Sequence, residues 1–233
     1  MLGKVPASRL RLIDAIAREA RRGAPRPLAR HADAFVRQYY RGVGEEDLAS
    51  REPAVLADAA LAHLRLGLVR RPGRPTVRAF NPGPADGFAS THTIVMVVTD
   101  DSPFLVDSMN IVLNQSGLAT HLIVHPVLPV RRDGRGRLLQ LATELSEGGR
   151  LESWQYFEID RETDAGKLAA LEAAIRSTLD DVRAAVADWQ AMRGRIRDLA
   201  GGLETSPPPL PTADVLEGKA LLEWMEDNHF TFL

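Results

Sequence analysis

Hydrophobic residues are concentrated in the middle of the chain, where two apolar runs flank one amphipathic segment. The first run, His92 to Thr99, is dense in β-branched residues, which favour strands. The segment from Pro103 to Ser116 repeats apolar residues at helical spacing, and Gly117 is a typical residue after a helix end. The second apolar run is Leu118 to Val130. This order predicts strand, helix, strand, with the helix crossing one face of a sheet that contains both strands.

Helical periodicity dominates the first part of the chain. Apolar residues recur at helical spacing in the segments Ser8 to Arg22, Leu28 to Arg41 and Pro53 to Leu68. These segments predict an N-terminal helical bundle within residues 1–72. The bundle is expected to end at a linker rich in proline and arginine, Arg70 to Pro75.

The last part of the chain combines one strand pattern with further helices. Glu152 to Ile159 alternates in the manner of a strand, and helical patterns cover residues 164–179, 182–199 and 212–228. Asp180 is predicted to break the first of these helices, and Gly201 and Gly202 to end the second. A proline-rich linker, Ser206 to Pro211, precedes the last helix. We therefore predict an α+β domain over residues 73–200, and a linker and helix over 201–233 that lead into a further domain.

The order of elements is compatible with a ferredoxin-like α+β sandwich, an antiparallel sheet with helices on one face. An Asp-Gly turn at Asp133 predicts a hairpin, with Leu138 to Leu145 as the returning strand. A standard sandwich ends with a strand after the helix near residues 168–179, where the pattern shows none. The short strand predicted at Thr76 to Asn81 could occupy that edge instead.

Composition and charge exclude some classes of function. The 233 residues carry a formal net charge of −2 and no cysteine. The balance predicts no strong attraction to nucleic acid or an anionic membrane, and the missing cysteines exclude disulfides and thiolate sites. Signal-peptide and membrane-spanning patterns are absent, which predicts a soluble, cytoplasmic protein. Because no dinucleotide fingerprint, P-loop, nucleophile elbow or HExxH motif occurs, we expect no catalytic site, cofactor or metal in these residues.

The junction between the first central strand and its helix carries the candidate ligand site. Its residues are Asp100, Asp101, Ser102, Pro103 and Phe104. Free N–H groups at the start of a helix can hold a carboxylate, and an aspartate there could hold an amino group. The alternative is plain helix capping by Asp101 or Ser102, with Pro103 in the first turn.

Other polar and aromatic residues of this region have structural interpretations beside functional ones. His121 and His125 share a strand face but lie roughly 13 Å apart, too far to share a metal, so a sheet face or subunit interface is expected. Trp154 and Tyr156 could stack on a ligand or pack in a core. The arginines near the hairpin, Arg131 to Arg137, form a solvated tip or an anion site.

Residues Asp100 to Leu138, DDSPFLVDSMNIVLNQSGLATHLIVHPVLPVRRDGRGRL, resemble the N-terminal region of the large bacterial NAD-specific glutamate dehydrogenase. The segments TVRAFNP, DVRAAVADWQAM and LLEWMEDNHFTFL are similar to that family in the same order. The resemblance implies that the catalytic domain and its NAD lie downstream, where L-glutamate is oxidatively deaminated. The strand-like ending HFTFL is then expected to be a cut through a longer protein. Downstream domains and further copies of the chain are the implied partners.

The same central unit is similar to an ACT domain, a regulatory module that often binds amino acids. Asp101, Pro103 and Gly117 match the ACT motif, whereas Phe104 stands where that motif usually has glycine. A phenylalanine there could fill the space a ligand would need. The resemblance thus implies a non-catalytic regulatory and assembly segment. The alternative is an effector module that binds an amino acid at residues 100–104.

Overall fold

A computed structural model describes residues 6–145 and 147–231. The chain forms two compact units, the first ending at Leu179 and the second beginning at Asp180. No helix in the described part of the chain combines the length and the apolar composition that crossing a lipid bilayer requires.

The N-terminal segments form helices where the periodicity predicts them. The helices are α1 (Ala7–Gly23), α2 (Arg26–Tyr39), α3 (Glu45–Ala49) and α4 (Pro53–Gly67). A proline lies at the first or second position of both α2 and α4, where its missing N–H has no helical partner to lose. The described helices of this region bury their apolar sides together, as in the predicted bundle.

The centre of the first unit is a six-stranded sheet. Its strands are β1 (Thr76–Phe80), β2 (Thr93–Asp100), β3 (Thr120–Val124), β4 (Val127–Arg132), β5 (Leu138–Leu141) and β6 (Arg150–Ile159). They lie in the order β1-β2-β6-β4-β5, β3 also pairs with β6, and every pairing is antiparallel. The predicted α+β fold with an antiparallel sheet is confirmed, and β1 takes the edge beside β2 that the sequence suggested.

The second apolar run, Leu118 to Val130, forms β3 and β4, two strands that lie end to end along β6. The register along β6 is continuous, with Val124 opposite Tyr156 and Val127 opposite Ser153. Between them the carbonyl of Pro126 still accepts a hydrogen bond from the N–H of Trp154, at 3.0 Å. Proline has no N–H to return, so the ladder is interrupted at one point while the side chains keep their faces.

The two faces of the sheet bury different helices. Ile94, Met96, Val98, Trp154 and Tyr156 belong to the same buried cluster as the N-terminal helices. The alternate residues along β2 and β6, such as Val95 and Phe157, are also buried but lie outside that cluster.

This second face is covered by α5 (Leu105–Gln115) and by the part of α6 (Ala165–Val186) that belongs to the first unit. Both helices bury an apolar side outside the cluster formed with the bundle. Two side chains of α6 also reach β1, where Glu172 accepts from the N–H of Ala79 and Arg176 donates to the carbonyl of Val77.

Trp154 lies at the centre of the contact between the bundle and the sheet. Its ring centroid is 5.0 Å from that of Phe35 and 5.3 Å from that of His63. A Cβ added to Gly67 would lie 2.1 Å from the indole ring, so only glycine lets the end of α4 approach Trp154. This places Trp154 in the core, as one of its two sequence-based interpretations predicted.

The second unit is helical, and the ends of α6 and α7 differ from the helix ends predicted from the sequence. Its elements are the end of α6, α7 (Trp189–Thr205), α8 (Thr212–Trp224) and a π-helical turn (Met225–His229). The predicted break at Asp180 is wrong, because α6 continues to Val186; α7 likewise passes Gly201 and Gly202. An aspartate or a glycine inside a helix lowers the stability of the helix by only about 1 kcal/mol or less relative to alanine, and neighbouring residues can offset this loss.

Candidate functional site

The candidate residues lie in the connection between β2 and α5. Asp100 is the last residue of β2, and Leu105 is the first residue of α5. The N–H of Asp101 donates to the carbonyl of Leu151 at 3.1 Å, which fixes the start of the connection to β6. Whether residues 100–104 bind a ligand stays a prediction.

The predicted helix cap is wrong. The residue at the N-cap of α5 is Phe104, and no side chain of the described residues makes a capping bond there. Ser102 Oγ instead lies 3.4 Å from the carbonyl of Pro103, and Pro103 precedes the helix rather than entering its first turn. Asp101 and Ser102 are too far back along the chain, since a capping side chain belongs to the residue adjoining the first turn.

Phe104 adopts a backbone conformation that favours glycine. Its φ is 67°, and it is the single non-glycine residue with positive φ in the described part of the chain. This left-handed conformation costs a residue with a Cβ roughly 1–2 kcal/mol. Phe104 therefore holds a turn conformation that is typical of glycine, and the residue is 41% exposed.

We expect Phe104→Gly to be more stable than Phe104→Ala by about 1 kcal/mol, because both remove the ring but only alanine keeps the Cβ clash. Urea unfolding of the two variants measures the difference. Because both variants lack the phenylalanine ring, the effect of losing the ring cancels in the comparison. An alanine variant as stable as the glycine variant would show that residue 104 does not hold a positive φ in solution.

The carboxylate of Asp100 belongs to a cluster of charged side chains. Arg70, whose side chain is fully buried, donates to Asp100 and also to Glu152, at 2.8 Å. Arg132 donates to both oxygens of Glu152, at 2.7 and 2.8 Å, and Glu152 is fully buried as well. Burial disfavours the charged form of Arg70, but its bond to Asp100 and the charge of Glu152 outweigh this and raise its pKa.

This cluster corrects two expectations from the sequence. Arg70 lies at the start of the predicted linker, yet its side chain reaches Glu152, the third residue of β6. Arg132 belongs to the predicted solvated tip, yet its side chain is only 4% exposed. An amino group bound at Asp100 would have to share a carboxylate that Arg70 already holds.

Asp101 lies beside a second polar group. His125 Nε2 is 2.8 Å from Ser153 Oγ, and Gln155 Nε2 donates to the same hydroxyl at 3.0 Å. Burial raises the pKa of Asp101, and the charge of His125 opposes that rise. Burial likewise lowers the pKa of His125, opposed by Asp101. Serine, histidine and aspartate come together here, but Ser153 is fully buried, so its hydroxyl is not accessible as a nucleophile.

The two histidines of the central strand have separate partners. His121 Nε2 is 2.8 Å from Asp160 Oδ1, and its ring centroid lies 4.5 Å from that of His92. Among the described residues, no group of three or more histidine, aspartate, glutamate or cysteine side chains could hold a metal ion.

The β2–α5 junction does not fit a dinucleotide. Dinucleotide sites use parallel strands and a glycine-rich turn whose backbone approaches the pyrophosphate closely. Here the pairings of the described strands are antiparallel, and the turn is Asp-Asp-Ser-Pro-Phe. This turn contains no glycine.

Comparison with known proteins identifies the family. A model of the family described as glutamate dehydrogenase, ACT1 domain, matches residues 35–175, a range that contains the whole sheet. A NAD-specific glutamate dehydrogenase of Pseudomonas aeruginosa is 38% identical over 202 residues, which is 85% of this chain and 12% of the relative.

Two further relatives carry the same name. The protein of Halomonas elongata is 36% identical over 209 residues, and that of Mycobacterium tuberculosis is 30% identical over 191 residues. They match 88% and 79% of this chain, which spans only 13% and 12% of their lengths. The chain belongs to the glutamate dehydrogenase ACT1 domain family.

Proposed function

We propose that the chain is the non-catalytic regulatory and assembly segment of a cytoplasmic NAD-specific glutamate dehydrogenase. The observation that carries the proposal is the family match over the whole sheet, in a chain that spans 12–13% of its relatives. In the complete enzyme, NAD and the oxidative deamination of L-glutamate to 2-oxoglutarate belong to other domains. The boundaries proposed for this segment are a helical region to residue 72, an ACT-like domain to residue 200 and a connecting region to residue 233.

A second copy of the chain is the first proposed partner. Within the described residues β3 pairs with β6 alone, so the outer edge of β3 leaves backbone groups available to another strand. Ile123 and Val127 on this strand and its continuation are 36% and 40% exposed. An open edge with apolar side chains favours association of copies through β3.

Other domains of the same polypeptide are the second proposed partner. The second unit exposes large apolar side chains along α7 and α8. A helix gains most of its stability when its apolar face packs against another part of the protein. These exposed residues are Met192, Leu199, Leu216, Leu221 and Trp224. They are suited to contact with a domain that follows in the complete enzyme.

Sensing of an amino acid at residues 100–104 is the second candidate function. It is favoured by the strained backbone of Phe104, because strain is often retained at ligand sites. Calorimetry with a panel of amino acids tests it, with Asp101→Ala as the variant expected to abolish the heat.

Light scattering and an activity assay test the assembly function. The 233-residue chain is expected to form at least a dimer, and the double variant Ile123→Lys, Val127→Lys to be monomeric, because two charges oppose pairing at the β3 edge. Leu10→Lys on α1, also at an exposed residue, is the matched control. A monomeric parent chain, or a double variant of unchanged mass, would contradict association through β3.

Reduction of NAD with glutamate by this chain alone would contradict a non-catalytic role.

A further inference from the structure

A cavity of about 260 Å³ lies on the bundle side of the sheet, away from residues 100–104. We call it the Arg51 cavity. It is bounded by Arg51, by α4, by the loop around Phe88 to His92, and by Tyr156 and Glu158 of β6. It is slightly smaller than the roughly 300–1,000 Å³ of sites for drug-sized molecules, so a small metabolite is the right size.

An ion pair forms the polar wall of this cavity. Arg51 Nη2 donates to Glu158 Oε2 at 2.7 Å, and the two side chains are only 23% and 10% exposed. The other oxygen of Glu158 accepts from the Tyr156 hydroxyl at 3.1 Å. Both charges are held in place before any ligand arrives.

The backbone around α3 orients Arg51. Its Nη1 donates to the carbonyl of Asp47 at 3.0 Å and to Ser50 Oγ at 3.1 Å. No described residue accepts from its Nε. The guanidinium therefore faces the cavity with donor capacity to spare and little freedom to rotate away.

Stability alone does not account for this pair. Withdrawing two charges from water costs several kcal/mol per ion, and apolar replacements of buried pairs are often neutral or stabilising. A guanidinium and a carboxylate in the wall of a cavity are arranged to meet a ligand that carries both opposite charges. A ligand with one charge would face an unmatched like charge from Glu158 or Arg51.

The rest of the wall has a polar part and an apolar part. Tyr40, Ser90, Thr91 and His92 line the polar part, and Val55, Leu56, Ala59, Phe88 and Leu122 line the apolar part. Most of these apolar side chains are buried, while Val55 is 45% exposed at the mouth. The apolar part of the wall accepts an aliphatic group.

We propose that the Arg51 cavity binds a small zwitterion with an aliphatic group, most simply a free aliphatic α-amino acid. Arg51 binds its carboxylate, Glu158 and the Tyr156 hydroxyl bind its ammonium, and the apolar wall packs on its side chain. Bound ligand would join α3 and α4 to the end of β6. Binding here does not depend on the regulatory function proposed above, although it would supply that function with an effector.

Titration calorimetry of the 233-residue chain with L-leucine tests the ligand chemistry. Leucine is expected to give a saturable heat. 4-Methylpentanoate, which lacks the ammonium, and 3-methylbutylamine, which lacks the carboxylate, are each expected to bind at least tenfold more weakly. No heat with leucine, isoleucine, valine or methionine at millimolar concentration overturns the proposal, as does equal binding of leucine and either analogue.

Variants identify the site. Arg51→Gln and Glu158→Gln are each expected to weaken leucine binding at least tenfold, whereas Arg22→Gln, at an exposed ion pair outside the cavity wall, leaves it unchanged. Binding that disappears in Asp101→Asn and survives in Arg51→Gln would move the ligand to residues 100–104 and overturn this proposal while supporting effector sensing there.

A steric variant separates binding from folding. Val55→Trp is expected to block the mouth of the cavity and abolish leucine binding without removing a charge. Leu10→Trp, at a residue 49% exposed on α1 and outside the cavity wall, is the matched control. Both should keep the circular dichroism spectrum of the parent chain. Unchanged leucine binding in Val55→Trp would overturn the assignment.

Discussion

Replacing Glu152 by glutamine is expected to lower the free energy of unfolding by about 3–5 kcal/mol, as for other broken buried ion pairs. Glu152 is the one carboxylate that both Arg70 and Arg132 bind. The variant leaves Arg132 without a charged partner in the described residues and Arg70 with Asp100 alone. Urea unfolding followed by circular dichroism measures the loss.

Two comparisons make this result specific to the buried cluster. Arg22→Gln breaks an ion pair with Glu19 whose members are 71% and 36% exposed, and it is expected to cost less than about 1 kcal/mol. The triple variant Arg70→Met, Glu152→Leu, Arg132→Met removes all three buried charges and is expected to lose less stability than Glu152→Gln. A cost below 1 kcal/mol for Glu152→Gln would mean that solvent reaches this cluster.

Stability is expected to fall by about 2–3 kcal/mol between pH 6.5 and 4.5 because of His63 alone. His63 is fully buried between the bundle and β2, and burial lowers its pKa from 6.5 to about 3. In this window the unfolded chain protonates the imidazole and the folded chain does not. The unfolded state binds more protons, so stability is lost as the pH falls.

The hydrogen bonds of His63 fix the protonation state behind this prediction. Nε2 lies 3.2 Å from the carbonyl of Val97, which can only accept, so Nε2 carries the proton. Nδ1 then accepts from the hydroxyl of Tyr39, at 2.8 Å. A second proton on the ring would require the Tyr39 hydroxyl to turn from donor to acceptor and would place a charge beside Trp154.

The variant His63→Gln isolates this contribution. Other groups also titrate in acid, including His31 and His125, whose pKa values burial lowers, and Asp58 and Asp101, whose pKa values burial raises. They are common to both proteins and cancel when the two stability curves are subtracted. The expected difference is a slope of about 1.4 kcal/mol per pH unit below 6.5. Parallel curves would show that His63 is not protected from protonation.

Local patterns were sufficient to predict most elements of the first unit. The β-branched run before Asp100 forms β2, and the helical periodicity after Pro103 forms α5. The position of Phe104 at the ACT glycine was visible in the sequence, but its left-handed backbone was not, because few residues other than glycine adopt it. The pattern likewise predicted the helices of the bundle without indicating which surface they cover.

The charged clusters could not be predicted, because their members are distant in the chain. Arg70 and Glu152 are separated by 82 positions, and Arg51 and Glu158 by 107. One signal was available: Glu152 and Glu158 interrupt a strand pattern whose other residues are mostly apolar, and a buried carboxylate needs a charged partner. Several arginines could have been that partner, and the sequence does not choose among them.

The sequence by itself determined the elements of this protein, their order and the family, since these depend on neighbours along the chain and on residues in fixed succession. The tertiary structure alone decided that the bundle covers the sheet at Trp154, that Arg70 holds Asp100 beside the candidate loop, and that Arg51 meets Glu158 in a cavity. Such contacts depend on how the packed helices and strands bring remote side chains within a few ångströms, which periodicity in a single chain does not encode.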